Sequence, residues 1–292
     1  MNKHSKIKIS ELFFFSCQGE GRFMGVPSVF LRTFGCNFTC GGFGMPRGEL
    51  SQERIKVAAL DAFGPYSNYK ELPLVSTGCD SFAAWDPAFK HLSPMLDTNT
   101  IADSICEMLP FKGWRDEHLV ITGGEPLLGW QRAYPDLIEH PKMSGLNEIT
   151  FETNGTQPLT DEFTKYLKTW NQRQYPHGPG GEITFSVSPK LPCSGEKWED
   201  AICTDIVRSY ENVGYAYLKF VVATEEDAQD ALKATAEYRA AGFKGPVYLM
   251  PVGGTSDSYF MNNRAVAELA MKHGLRYSAR LQVDLWKNNW GT

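Results

Sequence analysis

The fold is constrained most by a unit that recurs along the chain, in which a short, β-rich apolar run ends in glycine, proline or polar residues. Such a run followed by a turn is typical of a buried strand that enters a loop. The runs cover residues 28–34, 118–126, 147–155, 182–190, 216–222, 246–254 and 277–286. The sequence therefore predicts a strand in each of these segments.

Helical segments separate some of these strands. Residues 225–242 are rich in alanine, begin with acidic residues and end in glycine, and residues 263–274 have the same form, which is typical of helices. Strands that alternate with helices form parallel βα units, whose functional side chains collect at the carboxyl ends of the strands. We therefore expect an α/β fold, with residues 1–292 in a single domain.

Two segments interrupt the alternation and are predicted to be insertions. Residues 41–78 contain a helix-like stretch at 51–64, and residues 91–114 are expected to contain another helix. Residues 166–179 are rich in aromatic and polar side chains and are expected to form a further excursion from the sheet.

Composition and charge exclude several classes of protein. The chain has 292 residues, 42% of them hydrophobic, and a formal net charge of −5, which gives no electrostatic reason to bind nucleic acid. No apolar run is long enough for a membrane span, and the short run LFFFS is too short for a signal peptide. A cytoplasmic location is therefore expected.

The cysteines raise a question about metal binding. Cys36 and Cys40 lie close together, but Phe43 stands where a CxxxCxxC motif would have its third cysteine. Cys79 follows only after residues 41–78, and such a long loop is no obstacle because closure entropy rises slowly with length. Three other cysteines have no pattern that separates them from buried core thiols: Cys106, Cys193 and Cys203.

The spacing of Cys36, Cys40 and Cys79 leaves three interpretations open. Three thiolates that leave one iron free suit a [4Fe-4S] cluster whose open iron binds an external chelating ligand, such as the amino and carboxylate groups of S-adenosylmethionine. The same cysteines with a histidine would suit zinc. The third interpretation is an unrelated set of ordinary cysteines, and the spacing does not decide among the three.

Motifs along the rest of the chain resemble those of a known family. Residues 16–40, SCQGEGRFMGVPSVFLRTFGCNFTC, closely resemble the N-terminus of the 7-carboxy-7-deazaguanine synthases, which are radical S-adenosylmethionine enzymes. Further motifs follow in the family's order and cover nearly the whole chain outside the two insertions. They are CDS at 79–81, TGGEP at 122–126, ETNG at 152–155, SPK at 188–190, KFVV at 219–222 and a closing LWKNNWGT.

The resemblance implies a partial (β/α) barrel of the radical S-adenosylmethionine type, with insertions and with a cluster at its open end. It implies that Cys36, Cys40 and Cys79 hold a [4Fe-4S] cluster, so that residues 41–78 interrupt the cluster loop. Ser81 matches the position that binds Mg²⁺ in family members, where substrate oxygens and waters would complete an octahedron.

The resemblance also implies which residues bind S-adenosylmethionine and substrate. The residues at cofactor positions are Gly123, Gly124, Glu125, Glu152, Asn154, Ser188, Pro189 and Lys190. The residues at substrate positions are Cys17, Gln18, Gly19, Glu20, Arg32, Thr122 and Thr292. Chemically, Glu125 suits the methionyl ammonium, and Arg32 suits a substrate carboxylate, which arginine pairs with bidentately.

Four positions depart from the family's pattern. Gly78 precedes the last cysteine where the family commonly has an aromatic residue beside the adenine, and Phe43 is the candidate replacement. Cys17 stands in place of leucine, and Ser81 in place of threonine. MPVGG at 250–254 replaces a QPxDG-like stretch that contacts the adenosyl group.

The family reaction converts 6-carboxy-5,6,7,8-tetrahydropterin into 7-carboxy-7-deazaguanine with loss of ammonia, in queuosine-type biosynthesis. For this chain the resemblance implies the same activity, an electron donor of the flavodoxin or ferredoxin type and a homodimer, with no nucleic-acid or membrane partner. Two alternatives stay open: another radical enzyme such as a glycyl-radical activase, and a non-catalytic zinc-binding or interaction protein on this fold.

Overall fold

The computed structural model describes residues 5–14, 16–61, 64–172 and 181–292. Within these residues, nine strands form one sheet with helices packed against it. The strands are β1 (Lys6–Phe13), β2 (Ser28–Thr33), β3 (Met95–Asp97), β4 (His118–Gly123), β5 (Glu148–Thr153), β6 (Glu182–Val187), β7 (Tyr215–Val222), β8 (Val247–Pro251) and β9 (Arg276–Tyr277). The α-helices are α1 (Glu53–Asp61), α2 (Thr98–Met108), α3 (Tyr134–Ile138), α4 (Asp161–Asn171), α5 (Trp198–Ala201), α6 (Thr204–Tyr210), α7 (Glu225–Ala240), α8 (Ser256–Lys272) and α9 (Leu281–Trp286).

The strand order leaves one face of the sheet open. Strands β2 and β4 to β8 are parallel, and each pairs with the next one along the chain. Right-handed crossovers between successive neighbours place the connecting helices on the same face. The antiparallel strands β1 and β3 and the short β9 extend the sheet at its edges. The predicted α/β fold is confirmed, and this order is that of a partial (β/α) barrel.

Alternate residues of the parallel strands lie on opposite faces of the sheet, because successive side chains of a strand point in opposite directions. Leu31, Ile121, Phe151, Phe185 and Phe220 are buried in the main hydrophobic core. Their neighbours in sequence line a pocket on the open face instead. These inward residues are Arg32, Thr122, Glu152, Ser186 and Lys219.

A turn at Gly21–Phe23 covers the amino-terminal ends of the strands on the open face. The ring of Phe23 contacts that of His118, the first residue of β4, with 4.4 Å between centroids. Arg22 pairs with Glu182 at the start of β6, and its guanidinium lies 4.3 Å from the ring centroid of Tyr215 at the start of β7. The pocket therefore opens toward the carboxyl ends of the strands.

The helices at 225–242 and 263–274 are confirmed as α7 and α8, although α8 begins earlier than predicted, at Ser256. Both helices start with a capping box, formed by Thr224 with Asp227 and by Thr255 with Ser258, which satisfies the free N–H groups of the first turn. Among the described residues, no helix combines the length and apolar character of a membrane span.

Residues 91–114 contain the helix that the sequence predicts there, and their description as an insertion stays a prediction. They contain α2, which buries Ile101, Ala102 and Ile105 in the main core. A helix packed on the sheet in this way is what a crossover between the parallel neighbours β2 and β4 requires. The sequence did not indicate that α2 is the crossover helix between β2 and β4, because residues 41–78 and β3 lie between β2 and α2.

Residues 277–286 are mostly helical rather than a strand. Only Arg276–Tyr277 pairs with the sheet, and Leu281–Trp286 forms α9. The segment YSARLQVDLW alternates apolar and polar residues, which is a strand period. In the structure the segment is helical despite this strand-like alternation. Val283 is buried, but Leu285, which would lie on the same face of a strand, is exposed.

Residues 41–78 and their flank form a small core of their own. Val57 of α1 packs with Leu72 and Val75 against Phe82 and Phe89, which follow the segment. The stretch predicted as helical at 51–64 contains α1. The single-domain organisation of the chain stays a prediction.

The excursion predicted at 166–179 is replaced by helix only in its described first part. Its first part belongs to α4, which buries Leu167 and Trp170 in the main core. Residues 173–180 lie outside the described part of the chain.

Candidate functional site

The open face of the sheet carries a pocket of about 240 Å³. Nearly all of the residues predicted from the sequence to bind cluster, cofactor or substrate line it. The two exceptions are Glu125 and Pro189. Residues from all parts of the chain therefore meet at the carboxyl ends of the strands, where the βα pattern predicts a site.

The structure brings the three predicted cluster cysteines together. Cys36, Cys40 and Cys79 pack in one group with Phe38 and Phe43 in the wall of the pocket. None of the three forms a disulfide. Cys106, Cys193 and Cys203 do not line the pocket, in agreement with the sequence, which gave them no special role.

Backbone hydrogen bonds hold the ends of the insertion close enough for this grouping. Gly78 N–H donates to Phe43 O at 2.7 Å, and Ser51 N–H donates to Gly41 O at 2.8 Å. Gly42 N–H donates to Ser194 O at 2.8 Å, which attaches the start of the insertion to the segment that follows β6. Cys79 thus returns beside Cys40 although many residues separate them in sequence.

The thiols lie in a place that does not favour free thiolates. Burial raises the pKa of Cys36 to about 12 and also raises the pKa values of Cys40 and Cys79. Lys190 lowers all three values only in part. Three uncompensated buried thiols in one wall are the donor set that a positively charged iron–sulfur core would stabilise as thiolates.

Among the residues that the structure describes, no three histidine, cysteine or acidic side chains converge on a single metal ion. In a [4Fe-4S] cluster each cysteine ligates a different iron, so the three sulfurs need not point at one centre. The grouping of the three cysteines is therefore compatible with such a cluster.

The TGGEP motif places its glycines against the cluster loop. A Cβ on Gly124 would lie 2.4 Å from Gly35 O and 2.7 Å from Cys36 Cβ, so only glycine fits there. Gly123 has a φ of +154° and an equally close neighbour, Thr33. The backbone of this loop can therefore approach a ligand bound at the cluster cysteines.

Glu125 lies outside the pocket lining, and its expected contact with the ammonium group stays a prediction. Its carboxylate is fully buried and accepts hydrogen bonds from Thr153 Oγ1 at 2.8 Å, Asn154 N at 2.7 Å and Leu127 N at 3.0 Å. Burial raises its pKa to about 7, against these hydrogen bonds. Glu125 thus fixes the backbone at Asn154 instead of exposing its charge to the pocket.

The ETNG and SPK motifs form the adjoining wall. Asn154 Nδ2 donates to Asn37 Oδ1 at 2.9 Å, which links β5 to the residue after Cys36. Lys190 Nζ donates to Ser188 Oγ at 3.2 Å and lies 5.8 Å from the ring centroid of Phe43. Pro189 lies outside the pocket lining, so its predicted role is limited to the shape of this turn.

Arg32 is held from two sides. Its Nε lies 2.6 Å from Glu11 Oε2, and its Nη1 donates to Ser81 Oγ at 3.0 Å. Burial opposes its charge, but Glu11, Asp80 and Glu152 raise its pKa. Ser81 Oγ also donates to Asp80 Oδ1 at 3.3 Å. The guanidinium therefore stays charged at the substrate side of the pocket.

Glu20 of the QGEG motif lies in a buried charge network. Burial alone would raise its pKa, but Lys219 and Arg280 outweigh this and lower it to about 2. Lys219 Nζ donates to Glu20, and Gln282 Nε2 donates to Glu20 Oε1 at 2.8 Å. Arg280 lies 3.3 Å from Glu20 and 2.6 Å from Asp80, so it ties the QGEG segment to the residue after Cys79.

Other residues predicted to bind substrate lie near this network. Gln18 Nε2 donates to Glu152 Oε1 at 3.1 Å. A Cβ on Gly19 would lie 1.8 Å from Gln282 Oε1, so glycine is required for this close approach. Trp290, beside the pocket-lining Thr292, donates from Nε1 to Leu72 O at 2.9 Å, which joins the end of the chain to the insertion.

Sequence reasoning assigned no role to several residues of this site. Lys219 is the single charged residue of the apolar strand β7, and that isolation was an available signal, whereas Glu11 shares β1 with Lys6 and Lys8 and has no such signal. Arg280 and Gln282 fell in a segment predicted to be a strand, so nothing indicated that they face the pocket. The residues added by the structure are Glu11, Asp80, Lys219, Arg280 and Gln282.

Comparisons with known proteins agree with this arrangement. No protein-family model matches the chain. The 7-carboxy-7-deazaguanine synthase of Halobacterium salinarum is 29% identical over 97% of this chain and 91% of its own. That of Pyrobaculum aerophilum is 24% identical over the full length of both chains, and that of Rhodopirellula baltica is 24% identical over 99% of this chain and 90% of its own.

The fold has a counterpart among solved structures. The crystal structure of QueE from Escherichia coli matches with a TM-score of 0.51 at 20% identity, over 94% of each chain. The structural likeness supports the assigned fold, and the sequence matches over the full length support a common ancestor of this chain and these enzymes. The chain is therefore a distant homologue, over nearly its full length, of these 7-carboxy-7-deazaguanine synthases.

Proposed function

We propose that this chain is a 7-carboxy-7-deazaguanine synthase, which converts 6-carboxy-5,6,7,8-tetrahydropterin into 7-carboxy-7-deazaguanine with loss of ammonia. The observation that carries the proposal is the meeting, in one pocket, of three cysteines from two separate segments with the polar residues matched to cofactor and substrate. The name shared by the full-length relatives supports the same activity.

Cys36, Cys40 and Cys79 would hold a [4Fe-4S] cluster, and S-adenosylmethionine would bind beside it. When bound, these two groups supply electron transfer and hydrogen abstraction, which no side chain can provide. The chain's own part is to fix three thiols on one wall and to keep water out, and the buried packing around Phe38 supports that role.

The glycines of the TGGEP loop and the polar ends of β5 and β6 would hold S-adenosylmethionine. Gly123 and Gly124 offer backbone groups without steric hindrance. Glu152, Asn154, Ser188 and Lys190 line the same wall and supply polar contacts. Glu125 would support this wall from outside the pocket lining, because its carboxylate accepts a hydrogen bond from the backbone N–H of Asn154.

The opposite wall suits the pterin. Arg32 offers a guanidinium to the substrate carboxylate, because its charge is preserved in the pocket. Gln18 and Glu20 present amide and carboxylate groups to the donor and acceptor edge of the ring. Cys17, Gly19, Thr122 and Thr292 line the space around them.

Mg²⁺ is proposed at Ser81. The Ser81 hydroxyl and the neighbouring Asp80 carboxylate are hard oxygen groups that face the pocket. One hydroxyl is a weak ligand, so substrate and water oxygens would have to complete the coordination. Reduction by a flavodoxin- or ferredoxin-type protein and assembly into a homodimer are also proposed, from the family resemblance alone.

The proposal is tested with the anaerobically reconstituted protein, supplied with S-adenosylmethionine, reductant, Mg²⁺ and carboxytetrahydropterin. We expect 7-carboxy-7-deazaguanine and 5′-deoxyadenosine by mass spectrometry. Deoxyadenosine without the deazaguanine would favour a different radical enzyme, such as a glycyl-radical activase. A protein that takes up no iron but retains zinc would favour the interaction-protein alternative.

A further inference from the structure

A β-bulge brings an acidic residue of β1 next to Arg32. The pairing of β1 with β2 runs from Ile9 opposite Thr33 to Glu11 opposite Arg32, so one extra residue, Ser10, stands between them. If the pairing continued regularly from Ile9 opposite Thr33, Ser10 would stand opposite Arg32 instead of Glu11. Bulges commonly serve to redirect a side chain next to a binding site, and here the redirected side chain lines the pocket.

Glu11 and Arg32 form a close, largely buried ion pair. The distance from Arg32 Nε to Glu11 Oε2 is 2.6 Å, and the two side chains are 18% and 1% exposed. Burial raises the pKa of Glu11, while Arg32 and the backbone N–H of Gly291 work against that rise. Tyr69 and Lys70 of the insertion are the other titratable groups near this carboxylate.

The pair determines which edge of the guanidinium faces the pocket. The carboxylate of Glu11 lies beside Nε, which makes no hydrogen bond of good geometry, and Nη1 donates one hydrogen to Ser81 Oγ. Because Glu11 occupies the space beside Nε, a ligand in the pocket has access to the Nη1–Nη2 edge, which is one of the two edges that bind a carboxylate bidentately. A guanidinium free to rotate would offer either edge.

We propose that Glu11 is the positioning residue for Arg32 and turns its Nη edge toward the carboxylate of the pterin substrate. The inference rests on the proposed function, because it takes the substrate from there. Glu11 itself does not need to touch the substrate. Its role is to supply an oxygen at one position beside Nε.

The test separates the position of that oxygen from its charge. Glu11→Gln keeps an oxygen at the same reach but loses the charge, whereas Glu11→Asp keeps the charge and withdraws it by one carbon. The control is Glu182→Gln, which removes the acidic partner of a different arginine, Arg22, at the amino-terminal ends of the strands.

Binding is measured anaerobically by calorimetry, on reconstituted protein with S-adenosylmethionine and without reductant, so that no turnover occurs. The two probes are 6-carboxy-5,6,7,8-tetrahydropterin and tetrahydropterin without the carboxylate. The quantity compared is the ratio of their dissociation constants, which isolates the carboxylate contact from general effects on the pocket.

We expect wild-type protein, Glu11→Gln and Glu182→Gln to prefer the carboxylated pterin to a similar degree. Glu11→Asp should reduce that preference by about 10- to 100-fold, the loss expected for a misplaced hydrogen bond to a charged group. Retention of the preference in Glu11→Asp would overturn the inference. Its loss in Glu11→Gln, with retention in Glu11→Asp, would show that charge alone matters and would overturn it too.

Failure of the proposed function gives a different result. If neither pterin binds wild-type protein, the substrate assignment is wrong. If both bind wild-type protein equally, the pterin assignment stands but the role of Arg32 and Glu11 toward the carboxylate does not.

Discussion

The backbone N–H of Gly78 donates a hydrogen bond of 2.7 Å to the carbonyl oxygen of Phe43. This bond joins the two ends of the insertion at the residue that precedes Cys79. Gly78 has a φ of +81°, in the left-handed region where glycine is preferred. The same turn sets the ring of Phe43 against the cysteine group and into the lining of the pocket.

Phe43 is therefore expected to replace the missing aromatic residue before the last cysteine, by packing against the adenine of S-adenosylmethionine. Phe43→Leu should raise the dissociation constant for S-adenosylmethionine about three- to tenfold, the range of an aromatic stacking contribution. Phe43→Tyr keeps the ring and should bind nearly as well as wild type. Equal binding by the leucine variant, at unchanged iron content, would remove Phe43 from the cofactor site.

Gly124 allows the TGGEP loop to pack against the residue before the first cluster cysteine. Gly124→Ala places a methyl group within 2.4 Å of Gly35 O and 2.7 Å of Cys36 Cβ, so backbone must shift. We expect a loss of about 1–3 kcal/mol in the free energy of unfolding, together with weaker iron retention. The control is Gly113→Ala, where a Cβ meets nothing within 4 Å; equal behaviour of the two variants would contradict this account.

Glu125 should make stability depend on pH. Its pKa is about 7 in the folded protein, above the ordinary value of 4.5, so the folded state retains a proton that the unfolded chain has released. This contribution is complete below about pH 4.5 and is lost as the pH rises through 7, at most about 3 kcal/mol. Urea unfolding of cluster-free wild-type and Glu125→Gln protein between pH 4.5 and 8 should show a decrease that is larger in wild type by this amount.

Parallel curves for the two proteins would show that Glu125 titrates normally. In that case its carboxylate would be solvated in solution and able to meet the ammonium of the cofactor directly, as the sequence resemblance implies. The pH profile therefore decides between a direct and an indirect role for this residue.

Much of the fold follows from local sequence patterns. The buried parallel strands have long apolar runs closed by glycine or proline, and each such run ends where the structure has a site residue, as at Thr122 and Glu152. The helices α7 and α8 carry acidic starts and glycine ends, which are local signals as well. These features were predictable because each depends on neighbouring residues.

The parts that were not predicted depend on distant contacts. Leu281–Trp286 has the alternation of a strand, yet it forms α9 and places Gln282 against Glu20. A β-bulge brings the side chain of Glu11 to the inner face of the sheet, and no local sequence pattern predicts that bulge. The position of Cys79 beside Cys40 depends on backbone hydrogen bonds such as that from Gly78 N–H to Phe43 O. These bonds bring the two ends of residues 41–78 together, and the sequence alone does not predict them.

The central claim is that Cys79, despite the insertion, is the third ligand of a cluster that supports radical chemistry. The most direct test compares wild type, Cys79→Ser and Cys106→Ser after anaerobic reconstitution, by iron content and by formation of 5′-deoxyadenosine and 7-carboxy-7-deazaguanine. We expect wild type and Cys106→Ser to bind iron and form both products, and Cys79→Ser to lose cluster iron and form neither. Full iron content and both products in Cys79→Ser would contradict the claim.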